Sequence, residues 1–502
     1  MAAPEPYHAM PTPLPSQAGK MFLSLFPSIM LPMFMAVSDQ TIVASALPAI
    51  AATLGDVERV SWVVVAYLVA GTIAAPVYGY LGDVFGRRRL MFIALSIFIL
   101  SSIGCSMAPS INWLTFGRLM QGFGGGGLMS LSQALVGEVV PARLRGHYQG
   151  YLAAVATVSS VLGPVLGGFL TDHFGWRSIF LVSVPVGLIA MVLIFRLPSR
   201  PGTRDESWSF DFLGLVYFVA FIAPVLLALE QARHFDWESL TIIGALLVMA
   251  AGSFVLLIRH ENRIPSPLLP LSLFRQGAIW RGNGMAMCHG AALTGLVAFL
   301  PIYLRVVRDM SASETGMMLL PVSIGIGLGS ITTGRIMART GRTMAIPTVG
   351  LCVSTLSLLG FVFIAPDLSV RGMGFLLTFT ALFMGTVMSV VQVTVQTLAG
   401  RKLIGAAAGS VQFSRTVGAA FGTALMATIL FATLAATDPE AAGLLSSLLG
   451  QGTSALAHLD AARRTIVEAE IAFAFRCAFS MLAVFTCTGA LLAWTNPARR
   501  IG

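Results

Sequence analysis

Fourteen apolar stretches of near bilayer-spanning length follow one another along this chain. They lie near residues 22–50, 61–81, 89–108, 112–137, 147–171, 177–197, 210–230, 238–258, 280–304, 315–336, 343–365, 371–398, 405–436 and 474–494. Crossing about 30 Å of hydrocarbon takes roughly 20 helical residues. Lipid offers no partner to an exposed peptide group, so a helix that satisfies its own backbone is the natural span. The pattern predicts an all-α polytopic membrane protein. Composition agrees: 56% of the 502 residues are hydrophobic and 11% charged, against about 25% charged in soluble domains.

The net charge of +9 raises nucleic-acid binding, but the basic residues are in the wrong places for it. Loops on one side of the alternating spans carry Lys20, Arg87, Arg88, Arg89, Arg143, Arg145, Arg196, Arg200, Arg204, Arg259, Arg263, Arg275, Arg281, Arg335, Arg339, Arg342, Arg401, Lys402, Arg499 and Arg500, which is 20. The other side carries Arg59, Arg177, Arg233, Arg305, Arg308, Arg371, Arg463 and Arg464, which is 8. Cytoplasmic loops are enriched in Lys and Arg, so both termini are expected in the cytoplasm of a cell (inner or plasma) membrane. No nucleic-acid partner is expected.

All seven tryptophans, Trp62, Trp113, Trp176, Trp208, Trp237, Trp280 and Trp494, fall near the ends of spans, where an amphipathic ring prefers the headgroup layer. Cys105, Cys288, Cys352, Cys477 and Cys487 lie inside spans and show neither metal-site spacing nor a disulfide framework. Residues 1–19 are rich in proline and lack a basic stretch, which reads as a disordered tail rather than a secretory signal. The segment from Thr437 to Ile471 is the longest expected loop, with a surface helix around 455–470.

A nucleotide-driven pump needs a phosphate-binding lysine followed by Ser or Thr. The two lysines here, Lys20 and Lys402, precede Met21 and Leu403. No cofactor or metal is expected, and any pumping would draw on an ion gradient.

Asp39 stands alone in the first apolar stretch. A charge at membrane depth costs about 2.5–3.5 kcal/mol on insertion scales and marks a cavity, a partner or a proton path. The plainer reading is a polar contact between helices. Arg118 is a permanent cation within the fourth stretch, with Asp39, Gln121 and backbone carbonyls as candidate partners. A guanidinium near Asp39 would tune when the carboxylate takes up a proton.

An internal repeat gives the architecture. Gly79 to Arg89 follows the second stretch, and Gly334 to Arg342 follows the tenth. Aligning Gly79 with Gly334 places Gly86 on Gly341, Arg87 on Arg342 and Asp83 on Ala338. Two such units describe parallel six-helix halves around a midplane cavity.

The loop Gly79–Arg89 resembles the signature loop of the major facilitator superfamily. Asp39-Gln-Thr41-Ile42-Val43 through Pro48, Arg118-Leu-Met-Gln121-Gly122, and Gly163-Pro164-Val-Leu-Gly167-Gly168 resemble motifs of its fourteen-helix drug:proton antiporter branch (EmrB/QacA-like). Phe413-Ser-Arg415-Thr-Val-Gly418 is a thinner anchor in the second half, and Ser183 stands before Val-Pro where the family usually has Asn. The resemblance implies a major facilitator fold of two six-helix bundles plus two extra helices. The expected divisions are a disordered cytoplasmic tail at 1–21, a bundle at 22–200, the extra pair with linkers at 201–279, a second bundle at 280–496 with an extracytoplasmic loop at 437–473, and a cytoplasmic tail at 497–502.

It further implies a non-enzymatic, proton-coupled exporter of amphipathic or cationic compounds, with small-molecule substrate, protons and lipid as partners. Related exporters sometimes use a periplasmic adaptor and an outer-membrane channel, and that partnership stays open here. Proton coupling is expected at Asp39 and Arg118, and gating at Asp83, Gly86, Arg87, Arg88, Gly163, Pro164 and Gly167. Substrate-cavity candidates are Gln121, His289, Gln392, Gln396, Gln412 and Arg415. Arg415 reads equally as a contact for an anionic group and as packing beside Gly418. Rival readings are a dedicated exporter of one metabolite, such as a siderophore or lipid-like product, an importer, and a sensor or enzyme without transport.

Overall fold

The computed structural model describes residues 15–55, 59–197, 209–231, 237–264, 267–364, 368–438 and 461–500. The chain runs through α1 (Pro15–Leu54), α2 (Trp62–Phe85), α3 (Arg87–Ser106), α4 (Ile111–Val139), α5 (Ala142–Phe174), α6 (Ser178–Leu181) and α7 (Ser183–Phe195). It continues through α8 (Phe212–Gln231), α9 (Trp237–Glu261), α10 (Ser272–Arg275), α11 (Gly277–Val306) and α12 (Ala312–Thr340). The last elements are α13 (Ala345–Ile364), α14 (Val370–Met384), α15 (Thr386–Ala399), α16 (Ile404–Thr437) and α17 (Ala461–Trp494).

Among the described residues, thirteen helical segments are long and apolar enough to cross a membrane. The expected stretch missing from these is the fourth, α4, which carries a glycine run and the polar Arg118 and Gln121. It is instead the inner helix of its group, packed on α1, α2 and α3. Gly122 and Gly126 make this possible: a Cβ on Gly122 would overlap the Tyr67 backbone, and one on Gly126 the Gly71 backbone. Helices in lipid associate largely through such close packing. Gly126→Leu is therefore expected to push α2 off α4 and cost about 1–3 kcal/mol or more. The check is a lower thermal midpoint in detergent, with Gly104→Leu unaffected because open space surrounds Gly104.

Helices α1–α7 pack among themselves, as do α11–α17, while α8 and α9 pair with each other and α8 leans on α2 and α16. In the second group Tyr303, Phe361, Phe475 and Phe479 form an aromatic cluster with ring centroids 5.5–6.0 Å apart. Two long stretches are interrupted. The sixth breaks between α6 and α7 at Val182, and the twelfth between α14 and α15 at Gly385, where a Cβ would overlap the Ile326 backbone.

Local signals explain several boundaries. Ser311 and Glu314 form a capping box at the start of α12, satisfying two otherwise unpaired N–H groups. Gly86 and Gly341, matched by the repeat, both end a helix at positive φ, +90° and +65°, where glycine avoids a side-chain clash.

Some expectations need correction. Trp176 sits at a span end but is buried against Phe180 rather than in a headgroup layer. The last helix begins at Ala461, so the part of the expected 437–473 loop from that residue on belongs to α17, and Arg463 pairs with Asp438 at the end of α16. Residues 439–460 of that loop lie outside the described residues, as do 1–14 of the tail, and helix begins at Pro15. The 497–502 tail docks as far as Arg500, with Thr343 N–H donating to the Arg499 carbonyl at 3.1 Å.

Candidate functional site

Asp39 and Arg118 are both almost wholly buried, at 2% and 1% exposure. The reason lies in how α1 meets its neighbours. Ser38, Thr41, Ile42 and Ser45 meet α5, where a Cβ on Gly163 would overlap Thr41 and one on Gly167 would overlap Ser45 and Ile42. Asp39 turns to α4. Its Oδ2 accepts from Arg118 Nη1 at 2.5 Å, and its Oδ1 accepts from Gln121 Nε2 at 2.9 Å. Gln121 Nε2 also donates to Ser102 Oγ at 2.7 Å, while its Oε1 accepts from Arg118 Nη1 at 2.7 Å. Arg118 Nε reaches the Val63 carbonyl at 3.3 Å, and its guanidinium lies 4.2 Å from the centre of the Tyr67 ring. Tyr67 in turn donates to the Ala36 carbonyl.

The arrangement has a chemical consequence. Losing a partner of a buried ion pair normally costs about 3–5 kcal/mol, because the remaining charge is stranded. Here Arg118 keeps its hydrogen bonds to Gln121 and the Val63 carbonyl and its place over the Tyr67 ring if Asp39 becomes neutral, which offsets part of that cost. The paired carboxylate also contributes no net charge to the space between the helix groups. Gln121 belongs to this network rather than to a separate cavity wall.

A second set of groups joins the two helix groups at the end that carries the arginine loop. Asp83 accepts from Gly405 N–H at 2.8 and 2.9 Å and from Ala406 N–H at 3.0 Å. It thus meets the first turn of α16, where unpaired N–H groups and the helix dipole favour an anion. Arg87 bridges Asp83 and Glu138, tying α2, α3 and α4 together. Arg88 instead stacks over Phe195 at 5.0 Å.

Between the two helix groups, among the described residues, glycines bring backbone against backbone at two crossings. A Cβ on Gly79 would overlap the Gly405 carbonyl, and Gly409 lies on Ala75 and Pro76, joining α2 to α16. A Cβ on Gly334 would overlap the Gly146 carbonyl, and Gly150 lies on Ser330 and Ile331, joining α12 to α5. Under the Gly79–Gly334 alignment these contacts correspond one to one, and they form a two-fold related pair. Asp83 has Ala338 as its counterpart, so the charged cap exists at one crossing alone.

The cavity candidates separate into two groups. Gln396 Nε2 donates to the Gln133 carbonyl at 3.2 Å, and Gln133 Nε2 reaches Gln412 Oε1 at 3.5 Å. These amides close the space between the helix groups just inside the glycine crossings. Gln392 is 1% exposed, and neither of its amide atoms has a partner. His289, 4% exposed, and Arg415 lie farther from the arginine-loop end, at the crossing of α11 and α16 where Gly290 meets the Arg415 carbonyl. Tyr67, Ser102, Gln133, Glu138 and the Gly146–Gly150 crossing were missed from sequence. The last carried a readable signal, since its spacing matches that of Gly405–Gly409. Among the described residues no cluster could hold a metal ion.

The sequence profile described as Major Facilitator Superfamily matches residues 29–423. An uncharacterized MFS-type transporter of Mycobacterium tuberculosis is 34% identical over 433 residues, covering 84% of this chain and 62% of its own length. This chain thus spans less than two thirds of that relative. The multidrug transporter protein MdtP of Bacillus subtilis is 30% identical over 410 residues, covering 81% of this chain and 75% of its own length. The fold matches the human organic anion transporter MFSD10 with a TM-score of 0.63 at 16% identity, over 94% of this chain and 99% of that one.

Proposed function

This chain belongs to the Major Facilitator Superfamily, and on that premise we propose that it is a proton-coupled exporter of amphipathic compounds. The observation that carries the reading is the buried Asp39–Arg118–Gln121 network, which lets one carboxylate change charge at membrane depth. Relatives named as a multidrug transporter protein and as a multidrug resistance protein support export of this kind. The basic-loop bias favours a cytoplasmic position for the arginine-loop end. On that orientation the two glycine crossings close the cytoplasmic side. Asp39 takes up a proton from outside, substrate leaves, and the halves rock to expose Asp39 to the cytoplasm, where the proton is released. The α1–α5 contact at Gly163 and Gly167, with Pro164 between them, seals the space beside Asp39 against proton leak.

The deciding experiment uses purified protein in liposomes with an internal pH dye and an imposed proton gradient. Addition of several amphipathic compounds, acidic, uncharged and cationic, is expected to move protons with at least one of these classes. Silence toward the whole panel would rule the exporter reading out in favour of a dedicated metabolite carrier or a chain that needs a partner.

Asp83 acts in this scheme as the latch of the cytoplasm-closed state. Asp83→Asn keeps the shape but turns charge-assisted bonds into neutral ones, a loss of about 1.5–3 kcal/mol. The balance between states is expected to move about tenfold to a hundredfold toward cytoplasm-open. Spin-label distances between the facing ends of α5 and α12 would report it as a longer population, and an unchanged distribution would remove Asp83 from the gate.

A further inference from the structure

Arg415 is a cation well inside a span that, among the described residues, forms no ion pair. Arg118 pairs with Asp39, and Arg87 pairs with Asp83 and Glu138. Among the described residues no carboxylate bridges to Arg415. Its hydrogen bond runs from Nε to Gln412 Oε1 at 3.3 Å, and its two terminal nitrogens have no acceptor yet are not sealed from the surrounding space. It lies eleven residues into α16, roughly 16 Å along the axis at 1.5 Å per residue, above the amides that close the floor. Across the α11–α16 crossing stands His289, near enough to experience the Arg415 charge, with Nδ1 unpartnered inside a buried ring. An apolar group adjoins: Gln412 Nε2 touches Met129 Sδ at 3.8 Å.

An unpaired guanidinium at this depth is expensive and is retained where something meets it. Its planar fork suits a carboxylate, sulfonate or phosphate. We propose that Arg415, with His289 and Gln412 beside it, is the receptor for the oxyanion of an amphipathic substrate, so that the compounds exported carry an acidic group. This rests on the exporter reading above and deepens it. The paired state of Asp39 is consistent with it, since that carboxylate offers no free negative charge to a cationic substrate. The guanidinium binds the oxyanion, and Met129, beside Gln412, meets the apolar body.

The test compares anilinonaphthalene sulfonate with N-phenyl-1-naphthylamine, the same aromatic body without the sulfonate. Binding is read by fluorescence to the full chain in phosphatidylcholine nanodiscs, against empty nanodiscs. The sulfonate is expected to bind wild type at least tenfold tighter than the neutral amine. Arg415→Gln is expected to erase that preference while leaving the neutral amine unchanged, and Arg415→Lys to restore part of it. Should Arg415→Gln not fold, competition on wild type decides: hexanesulfonate is expected to displace the probe and hexyltrimethylammonium is not. Equal binding of both aromatics, or displacement by the cation alone, overturns the proposal. Asp39→Asn is expected to keep the sulfonate preference. Proton movement driven by neutral or cationic compounds without any sulfonate preference would remove the anion site and leave the exporter. A sulfonate preference without proton movement would remove the coupling and leave the site.

Discussion

Asp39→Asn is expected to bring substrate-driven proton movement down to the level of empty liposomes, a loss of more than about a hundredfold, which corresponds to at least about 2.7 kcal/mol. The substitution imitates a carboxylate that is always protonated. The protein should still fold, because Arg118 retains Gln121 at 2.7 Å, the Val63 carbonyl at 3.3 Å and the Tyr67 face. Folded protein with silent protons is therefore the diagnostic outcome, and a gel-filtration profile beside the pH-dye assay reads both. Coupling that survives in Asp39→Asn would move the proton site elsewhere, and buried His289 would be examined next.

Gly334→Val is expected to have an effect of similar size by a different route. A Cβ there would overlap the Gly146 carbonyl and backbone carbon and crowd His147. Backbone atoms have no rotamer by which to escape, so α5 and α12 must separate. Transport should fall to background, and spin labels on the two helices should read one widened distance rather than two populations. Gly79→Val, at the matching crossing against Gly405, should reproduce the phenotype. Gly327→Val on the same helix has open space around it and serves as the control. Normal transport by Gly334→Val would mean that this crossing does not close during the cycle.

The spans were legible because apolar length is a one-dimensional property that folding does not alter. Every stretch read from the sequence contains a long helix or a broken pair of helices. What the sequence could not convey was which helices lie inside. Helix α4 carries a spanning length yet is too glycine-rich and polar to resemble a lipid-facing segment, and it is the one most enclosed by its neighbours. At the candidate site, Asp39, Arg118 and Gln121 were readable as costly polar residues, and the structure brings the three together. Tyr67 and Ser102 were not, because a tyrosine or serine in a span is cheap and draws no notice. Gln396 and Gln412 were readable as polar, but their place in the floor between the halves depends on where Gln133 lies, on a helix far away in sequence.

The two glycine crossings divide the labour of the molecule. At the two crossings the helix groups meet through main-chain atoms where glycine is required, while Arg415 and His289 lie farther along α16 and α11, away from those contacts. Exchanging those side chains alters what fits without disturbing how the halves meet. A lineage built on this plan is free to change its cargo through a handful of substitutions and inherit its shutter intact, whereas a single added methyl group at Gly79 or Gly334 would silence every variant alike.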